Sequence, residues 1–286
     1  MIQSMTGFGK ATMQLPTKKI TVEVKSLNSK GFDLNVRMPS MYREMELGVR
    51  NQIANVLERG KIDFCIFIEN TSEQTSTKIN VPIIKEYIRQ MREVYENADE
   101  TELMKMAVRM PDALKTEREE IDEDDWKLVQ VVVDEGLKNL KSFRTSEGVA
   151  LEKEFLHRIA NIMTLMNETV ALDGERIDTV KTRLRTAIDE LKVNIDDNRF
   201  EQELIFYLEK YDITEEKVRL ENHLNYFIET IAGNEANGRK LGFITQEMGR
   251  EINTMGSKSN HAQMQKLVVQ MKDELEKIKE QVLNVL

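Results

Sequence analysis

With Cys65 as its single cysteine, the chain cannot close an internal disulfide, and a reducing, cytoplasmic setting is the expectation. No stretch approaches the roughly 18 apolar residues of a membrane span, and the start lacks the basic and apolar segments of a signal peptide. A soluble protein without a membrane partner follows as an expectation. There is no Walker loop or dinucleotide fingerprint, because Gly7-Phe8-Gly9 is too short to count. His157, His223 and His261 are scattered, so within one chain neither a thiolate zinc site nor a two-histidine ribonuclease mechanism is encoded. Tandem repeats and low-complexity segments are absent as well.

What is present is a chain of 286 residues, 40% hydrophobic, with a formal net charge of -9. That supports a substantial core and two structural parts. Net acidity argues against indiscriminate coating of nucleic acid but leaves room for a local basic groove. The patterning predicts an α+β fold: a small β-rich domain over 1–70, a linker and helical insert over 71–125, and a long-helix region over 126–286.

In the first part, Ile20, Val22 and Val24 alternate with polar residues, as do Phe32, Leu34, Val36 and Met38, with 28–31 turning one strand into the next. Met41, Met45, Val49, Ile53 and Val56 predict a helix ending near Gly60, and Ile62, Phe64, Ile66 and Ile68 a further strand. Cations outnumber acids here. Lys25, Lys30 and Arg37 are either ordinary members of a solvated sheet face or contacts to an RNA phosphate backbone. Beyond Pro82, Ile83, Ile84, Tyr87, Ile88, Met91 and Val94 form a helical stripe, and 112–125 is an acidic, solvated run. Long helices follow from Trp126, with interruptions expected at 146–148 and 194–198. In the last helix Met264, Leu267, Val268, Met271, Leu275, Ile278 and Val282 make a narrow stripe for packing within or between subunits.

The densest chemistry lies in 212–227 and 238–260. The second segment reads as a helix opening after Asn237-Gly238 and closing at Gly256 in a left-handed cap. Phe243, Gln246 or Glu247, Arg250, and Asn253 or Thr254 share one polar side. Arg239 and Lys240 stand in its first turn, where the macrodipole disfavours cations, so a carboxylate or a bound phosphate is expected near them. In the first segment, Asp212 with Glu215, or Thr214, offers the cap. Glu216, Arg219, His223 and Phe227 follow at helical spacing, beside an apolar face of Leu220, Leu224 and Ile228. A short connection would set the two helices antiparallel with these side chains facing each other.

The motifs SMTGFG (4–9), EVKSLNSKGFDL (23–34), Arg59-Gly60, DITEEKVRL, His223, GRKLGF, QEMGREINTMGSKSN and EKIKEQVLNV stand in one order along nearly the whole chain. In this it resembles the YicC/YloC family of bacterial endoribonucleases. The sequence departs from the family pattern at Gly242, where Asp is frequent, at Gly249, where Asn is frequent, and at Lys279 in place of Arg. Ser29-Lys30-Gly31-Phe32 also differs from the usual residues after the SVN-like stretch. The resemblance implies RNA cleavage and a homo-oligomer, with a hexamer as the expected form.

Residue chemistry and motif position together nominate the site. Glu216, Glu247 and Glu251 are the candidate ligands of a divalent cation, Mn²⁺ or Mg²⁺, with water completing its shell. Glu247 is the first choice for metal ligand or general base. Arg219 and Arg250 would balance charge at phosphorus, Glu216 or Glu251 would be the second carboxylate, and His223 would ligate metal or protonate the leaving oxygen. Arg239, Lys240 and Lys258 would hold flanking phosphates. The competing structural reading is an ion-pair lattice, Glu216 with Arg250 and Glu247 with Arg219, fixing two helices. A noncatalytic RNA-binding adaptor and a structural helical assembly are the rival functions.

Overall fold

The computed structural model of the chain describes residues 2–71, 77–116, 123–191, 197–233 and 238–286. The expected linker residues 72–76, the acids 117–122, the interruption at 194–196 and Asn237 lie outside them.

Strands β1 (Gly7–Gln14), β2 (Lys18–Leu27), β3 (Phe32–Arg37) and β4 (Gly60–Asn70) form one sheet in the order β1-β2-β4-β3. The expected turn at 28–31 does lead from β2 into β3, but the two strands are not neighbours. β4 lies between them, antiparallel to β2 and parallel to β3. A parallel pair needs a crossover, and here a 3₁₀ turn (Ser40–Met45) and helix α1 (Glu46–Val56) supply it. Ile20, Val22 and Val24 of β2 and Ile62, Phe64 and Ile66 of β4 point inward against Val49 and Ile53 of α1. A small unit follows, made of β5 (Thr77–Ile79), α2 (Val81–Val94), α3 (Glu100–Ala107) and β6 (Leu114–Thr116). Ile84 packs there with Ala107 and Ala113, whereas Val94, expected in the α2 stripe, is 88% exposed.

Helix α4 (Glu123–Ala171) is the spine. Its 49 residues, at 1.5 Å each, run about 74 Å. Val129, Val132, Val133, Leu137 and Leu140 complete the sheet core, and Phe155, Ile159, Ile162 and Met166 enter a second core. Burial pushes the Asp125 carboxyl in its first turn upward, but the Lys18 ammonium and the Tyr42 hydroxyl outweigh that and hold it below the usual carboxylate range.

The interruption expected at 146–148 is absent, and α4 runs through it. Gly148 serves a close approach instead. A Cβ there would run into the Ile2 carbonyl oxygen, with the Ile2 carbonyl carbon at 2.8 Å and Gln3 Cα at 3.0 Å. Because those neighbours are backbone, Gly148→Ala should cost about 2 kcal/mol of stability despite the better helix propensity of alanine. Urea denaturation would show this as a lower midpoint.

The N-terminal motif is stitched in at this point. Ser4 N–H donates to Arg144 O, Met5 N–H to Asn284 O, and Leu286 N–H to Gln3 O. Arg144 is 2% exposed and donates to Met5 O at 3.2 Å and to the Ser26 hydroxyl. Gly60, where φ is +121°, turns the chain into β4 beside that guanidinium.

After α4 come α5 (Asp173–Leu191), α6 (Asp197–Lys210), α7 (Thr214–Ala232), α8 (Gly238–Lys258) and α9 (Ala262–Val282), and the second core is helical, drawn mainly from α4, α7, α8 and α9. The α9 stripe is spent inside the chain, against α4 and α8. Gly256, expected as a left-handed cap, lies within α8 and packs on Val268. With Gly242 facing Val282 and Gly249 facing Leu275, it makes a seven-residue glycine seam against a seven-residue aliphatic seam of α9. The approach is closest at Gly256, where a Cβ would lie 2.9 Å from Val268, whereas at Gly242 it would meet Val282 only at 4.0 Å, so nothing in the structure explains that departure from the family pattern.

Glu274 of α9 accepts hydrogen bonds from Arg158 at 3.1 Å and Asn161 at 3.0 Å, both on α4, and from Lys277 at 2.7 Å. Burial pushes its carboxyl up, yet Lys277, Asn161 and Arg158 outweigh that and bring it from 4.5 to about 2. A depressed carboxylate contributes fully above its unfolded value and loses that contribution as pH falls through the folded one. Glu274→Gln should therefore cost about 2 kcal/mol at pH 7, and the gap to wild type should close between pH 4.5 and pH 2. Denaturant midpoints across that range check it.

Candidate active site

Helices α7 and α8 lie side by side and antiparallel. Lys240, early in α8, sits over the Tyr226 ring late in α7, 4.8 Å from its centroid, while Lys258 at the end of α8 reaches Glu216 at the start of α7. The fold sorts the candidate residues of this pair by face. Leu220, Leu224, Phe227 and Ile231 of α7 and Leu241, Ile244, Met248, Ile252 and Met255 of α8 fill the core. The polar side predicted for α8 is outward as expected, with Phe243, Gln246, Glu247, Arg250 and Asn253 all exposed except where Glu247 and Arg250 lean together at 3.8 Å.

The expectation that the polar sides of α7 and α8 face each other is not met. The helices join through their apolar sides, because Leu220, Leu224 and Phe227 bury far more apolar area than any charged side chain there would. Neither expected ion pair forms. Arg219 instead pairs with Glu215 in an exposed contact, Arg250 with Glu247, and Glu216 with Lys258.

Seven-residue spacing defines the rim of this pair. Tyr226 and Arg219 share one edge of α7, with His223 between them, and Lys240 and Glu247 share the facing edge of α8. Lys240 meets Tyr226, so stepping seven residues up α8 and seven back along α7 brings Glu247 level with Arg219. The Glu247 and Arg219 side chains are 50% and 52% exposed, Arg250 is 72% exposed, and His223 is half-buried. Lys240 and Arg239 are exposed in the first turn of α8.

Two of the three proposed metal ligands are withdrawn from this rim. Glu251 is 4% exposed, one turn beyond Glu247. Glu216 is also 4% exposed: one oxygen accepts from Lys258 Nζ at 2.7 Å, and the other has no hydrogen-bond partner among the described residues. No group of three or more His, Cys, Asp or Glu side chains among the described residues is placed to hold a metal ion. Glu216, Glu247 and Glu251 therefore do not form a metal centre within one chain.

Lys258 is half-buried and already engaged. Its ammonium donates to Glu216 and, at 2.8 Å, to Asp212 O, and its own carbonyl accepts from Arg176 at 3.1 Å. Arg176, 4% exposed, also pairs with Asp173 at 2.7 Å. The capping box expected of Asp212 and Glu215 is replaced by a tighter turn, in which the Asp212 carboxylate accepts from the Thr214 hydroxyl and N–H. Those two bonds hold the Asp212 carboxyl below the usual range against the upward push of burial, helped by Lys258 and Arg176. Arg176 and Tyr226 were not among the residues nominated from sequence, although Tyr226 stands one helical step from His223.

The other nominated cations lie on the sheet. Lys25 and Arg37 are exposed on its outer face and Lys30 in the β2–β3 connection. Lys25 lies 5.7 Å from the centre of the Phe8 ring and 4.0 Å from Glu23, which also pairs with Lys10 at 2.9 Å. His157 is exposed near Asn161.

Residues 2–153 match the family described as "Endoribonuclease YicC-like, N-terminal region", and residues 170–286 match "Endoribonuclease YicC-like, C-terminal". The chain belongs to the YicC-like family. A protein of Clostridioides difficile (strain 630) bearing the name "Probable endoribonuclease YicC" is 33% identical over 293 residues, spanning 100% of both chains. One of the same name from Haemophilus influenzae is 27% identical over 288 residues, again across 100% of both. The first match stops and the second begins inside α4, and the residues between them, 154–169, carry the part of α4 that enters the second core. Among the described residues, no helix of this YicC-like protein is long and apolar enough to cross a membrane.

Proposed function

We propose that this chain is a cytoplasmic endoribonuclease of RNA turnover or processing, that it cuts at the α7–α8 rim, and that it works as a homo-oligomer, a hexamer. The observation that carries this reading is the rim itself. Arg219, His223, Glu247 and Arg250 are motif residues outside the apolar core; Arg219, Glu247 and Arg250 stand exposed and His223 half-buried along two facing helix edges. Full-length relatives named as probable endoribonucleases support the same chemistry.

In this reading the Arg219 and Arg250 guanidinium groups hold the scissile phosphate through paired hydrogen bonds and balance the charge that grows on its oxygens. Glu247 takes a proton from the attacking water as its oxygen bonds to phosphorus. His223 gives a proton to the leaving oxygen as the old P–O bond breaks. Lys240 and Arg239 hold a neighbouring phosphate at the start of α8, where the helix dipole adds to their field. Glu251 takes no reacting role, because its side chain is withdrawn from solvent, at 4% exposure.

Among the described residues no group of acids is gathered to hold a metal ion, and no step is assigned to an ion. The divalent cation, Mn²⁺ or Mg²⁺, belongs to the proposal as one carried by RNA phosphates, with Glu247 the carboxylate of this rim that can reach it. The test is cleavage of an end-labelled hairpin RNA by the purified protein with Mn²⁺, with Mg²⁺ and with EDTA. Cutting that EDTA abolishes and either ion restores supports the whole reading. Salt-sensitive binding without cutting in any ion makes the protein an RNA-binding adaptor.

A further inference from the structure

Phe243 is the only aromatic residue of α8, and it is 63% exposed. On α7, Tyr226 is 44% exposed with the Lys240 ammonium 4.8 Å from its ring centre. Lone exposed rings are common, but these two border the same rim, and their helical neighbours are Lys240, Gln246, Glu247 and Arg250 on one side and His223 on the other. We propose that Phe243 and Tyr226 form a base-stacking subsite for unpaired RNA beside Glu247, an inference that rests on the nuclease reading of that rim.

The surroundings favour a nucleotide over a protein partner. An apolar protein surface covering Phe243 would strip water from Lys240, Glu247 and Arg250 without replacing it, which costs more than one ring returns. An unpaired base offers the ring a π-face, and its phosphate offers the adjacent cations a counter-charge. Bases inside an A-form duplex are stacked on each other and closed to such a ring. The subsite therefore selects single-stranded stretches, loops and ends. On the sheet, the Phe8–Lys25 pair has the same components, but Glu23 already stands 4.0 Å from that ammonium. Lys240 has no such acid among its described contacts.

The reporter comes from the chain itself. Its only tryptophan, Trp126, lies against Tyr42 in the sheet core at 5.4 Å between ring centres. A Trp126→Phe, Phe243→Trp protein moves the fluorophore to the rim. A single-stranded oligoribonucleotide should quench it saturably, while a blunt duplex of the same length and inorganic polyphosphate should leave it nearly unchanged. Phe243→Ala should lower single-strand affinity roughly 10-fold in the unlabelled protein.

Equal quenching by polyphosphate, no quenching by a strand the wild type binds, or no binding of single strands at all would overturn the subsite. So would loss of self-association in Phe243→Ala with RNA affinity retained, since the ring would then be a subunit contact. Quenching without cutting in any ion supports the subsite and removes the nuclease. Cutting without quenching does the reverse.

Discussion

A Glu247→Gln protein should cut end-labelled hairpin RNA at least 100-fold more slowly than wild type while binding it as well or slightly better. Removing a positioned proton acceptor costs about 10²–10⁴ in rate. Glutamine keeps the shape and the polarity of the side chain, and the carboxylate is half exposed, so the fold has no stake in its charge. Its pairing with Arg250 spans 3.8 Å across one exposed helical turn, a contact worth only a few tenths of a kcal/mol. Freed of that carboxylate, Arg250 becomes more available to phosphate, which is why affinity should hold. Glu251→Gln is the control from one turn away. Its side chain is buried, at 4% exposure, so its effect should appear in the denaturation midpoint and only secondarily in rate. Full activity in Glu247→Gln, measured with the metal that supports wild type, would remove this residue from the chemistry.

The outward row of α8 was legible in the sequence because one rule governs it: with 3.6 residues per turn and a single apolar stripe, everything off the stripe must meet solvent. The same holds for β2 and β4, whose alternating aliphatics point inward as read. What periodicity could not show is which neighbour each face meets. Glu216 was grouped with Arg219 and His223 because three-residue steps allow it. In the fold it belongs to the buried stripe with Leu220, where an acid survives only with a cation, and the cation comes from 42 residues away. Glycine misled in a consistent way. Gly148 and Gly256 were read as a break and a cap, since local sequence gives glycine those meanings, whereas here both sit inside helices where another segment passes too close for a Cβ. That meaning is tertiary and leaves no local mark.

The termini show the same limit and explain why the motifs span the chain. Ser4 bridges to Val285, Leu286 N–H donates to Gln3 O, and a Cβ at Gly238 would lie 3.2 Å from Val282 O. The two ends of the chain thus meet beside α4 and fix where α8 begins. The rim is built on that start, because Lys240 stands two residues past Gly238. SMTGFG and the last residues therefore help to position the start of α8 in this fold.

Lys258→Met should cost about 3–5 kcal/mol of folding stability, the penalty for leaving one partner of a buried pair uncompensated. Glu216 is 4% exposed and accepts from this ammonium at 2.7 Å, and methionine fills the space of the lysine stem without its charge. The loss would reach further than one pair. Lys258 also ties Asp212 O, just ahead of α7, to the end of α8, where Arg176 donates to the last carbonyl. A cation at a helix C-terminus complements the macrodipole, so Arg176 and Lys258 together close the α8 end that acids and carbonyls would otherwise leave open. Adding Glu216→Gln should recover much of the cost, because the pair is then removed as a unit and no bare charge stays buried. The phosphate-binding role first assigned to Lys258 makes the opposite forecast: unchanged midpoints, weaker RNA binding, and a salt slope shallower by about one unit. Urea titrations of the single and double variants, read beside RNA affinity at two salt concentrations, separate the two. A stable Lys258→Met protein with weakened, less salt-sensitive RNA binding would return this residue to the RNA path.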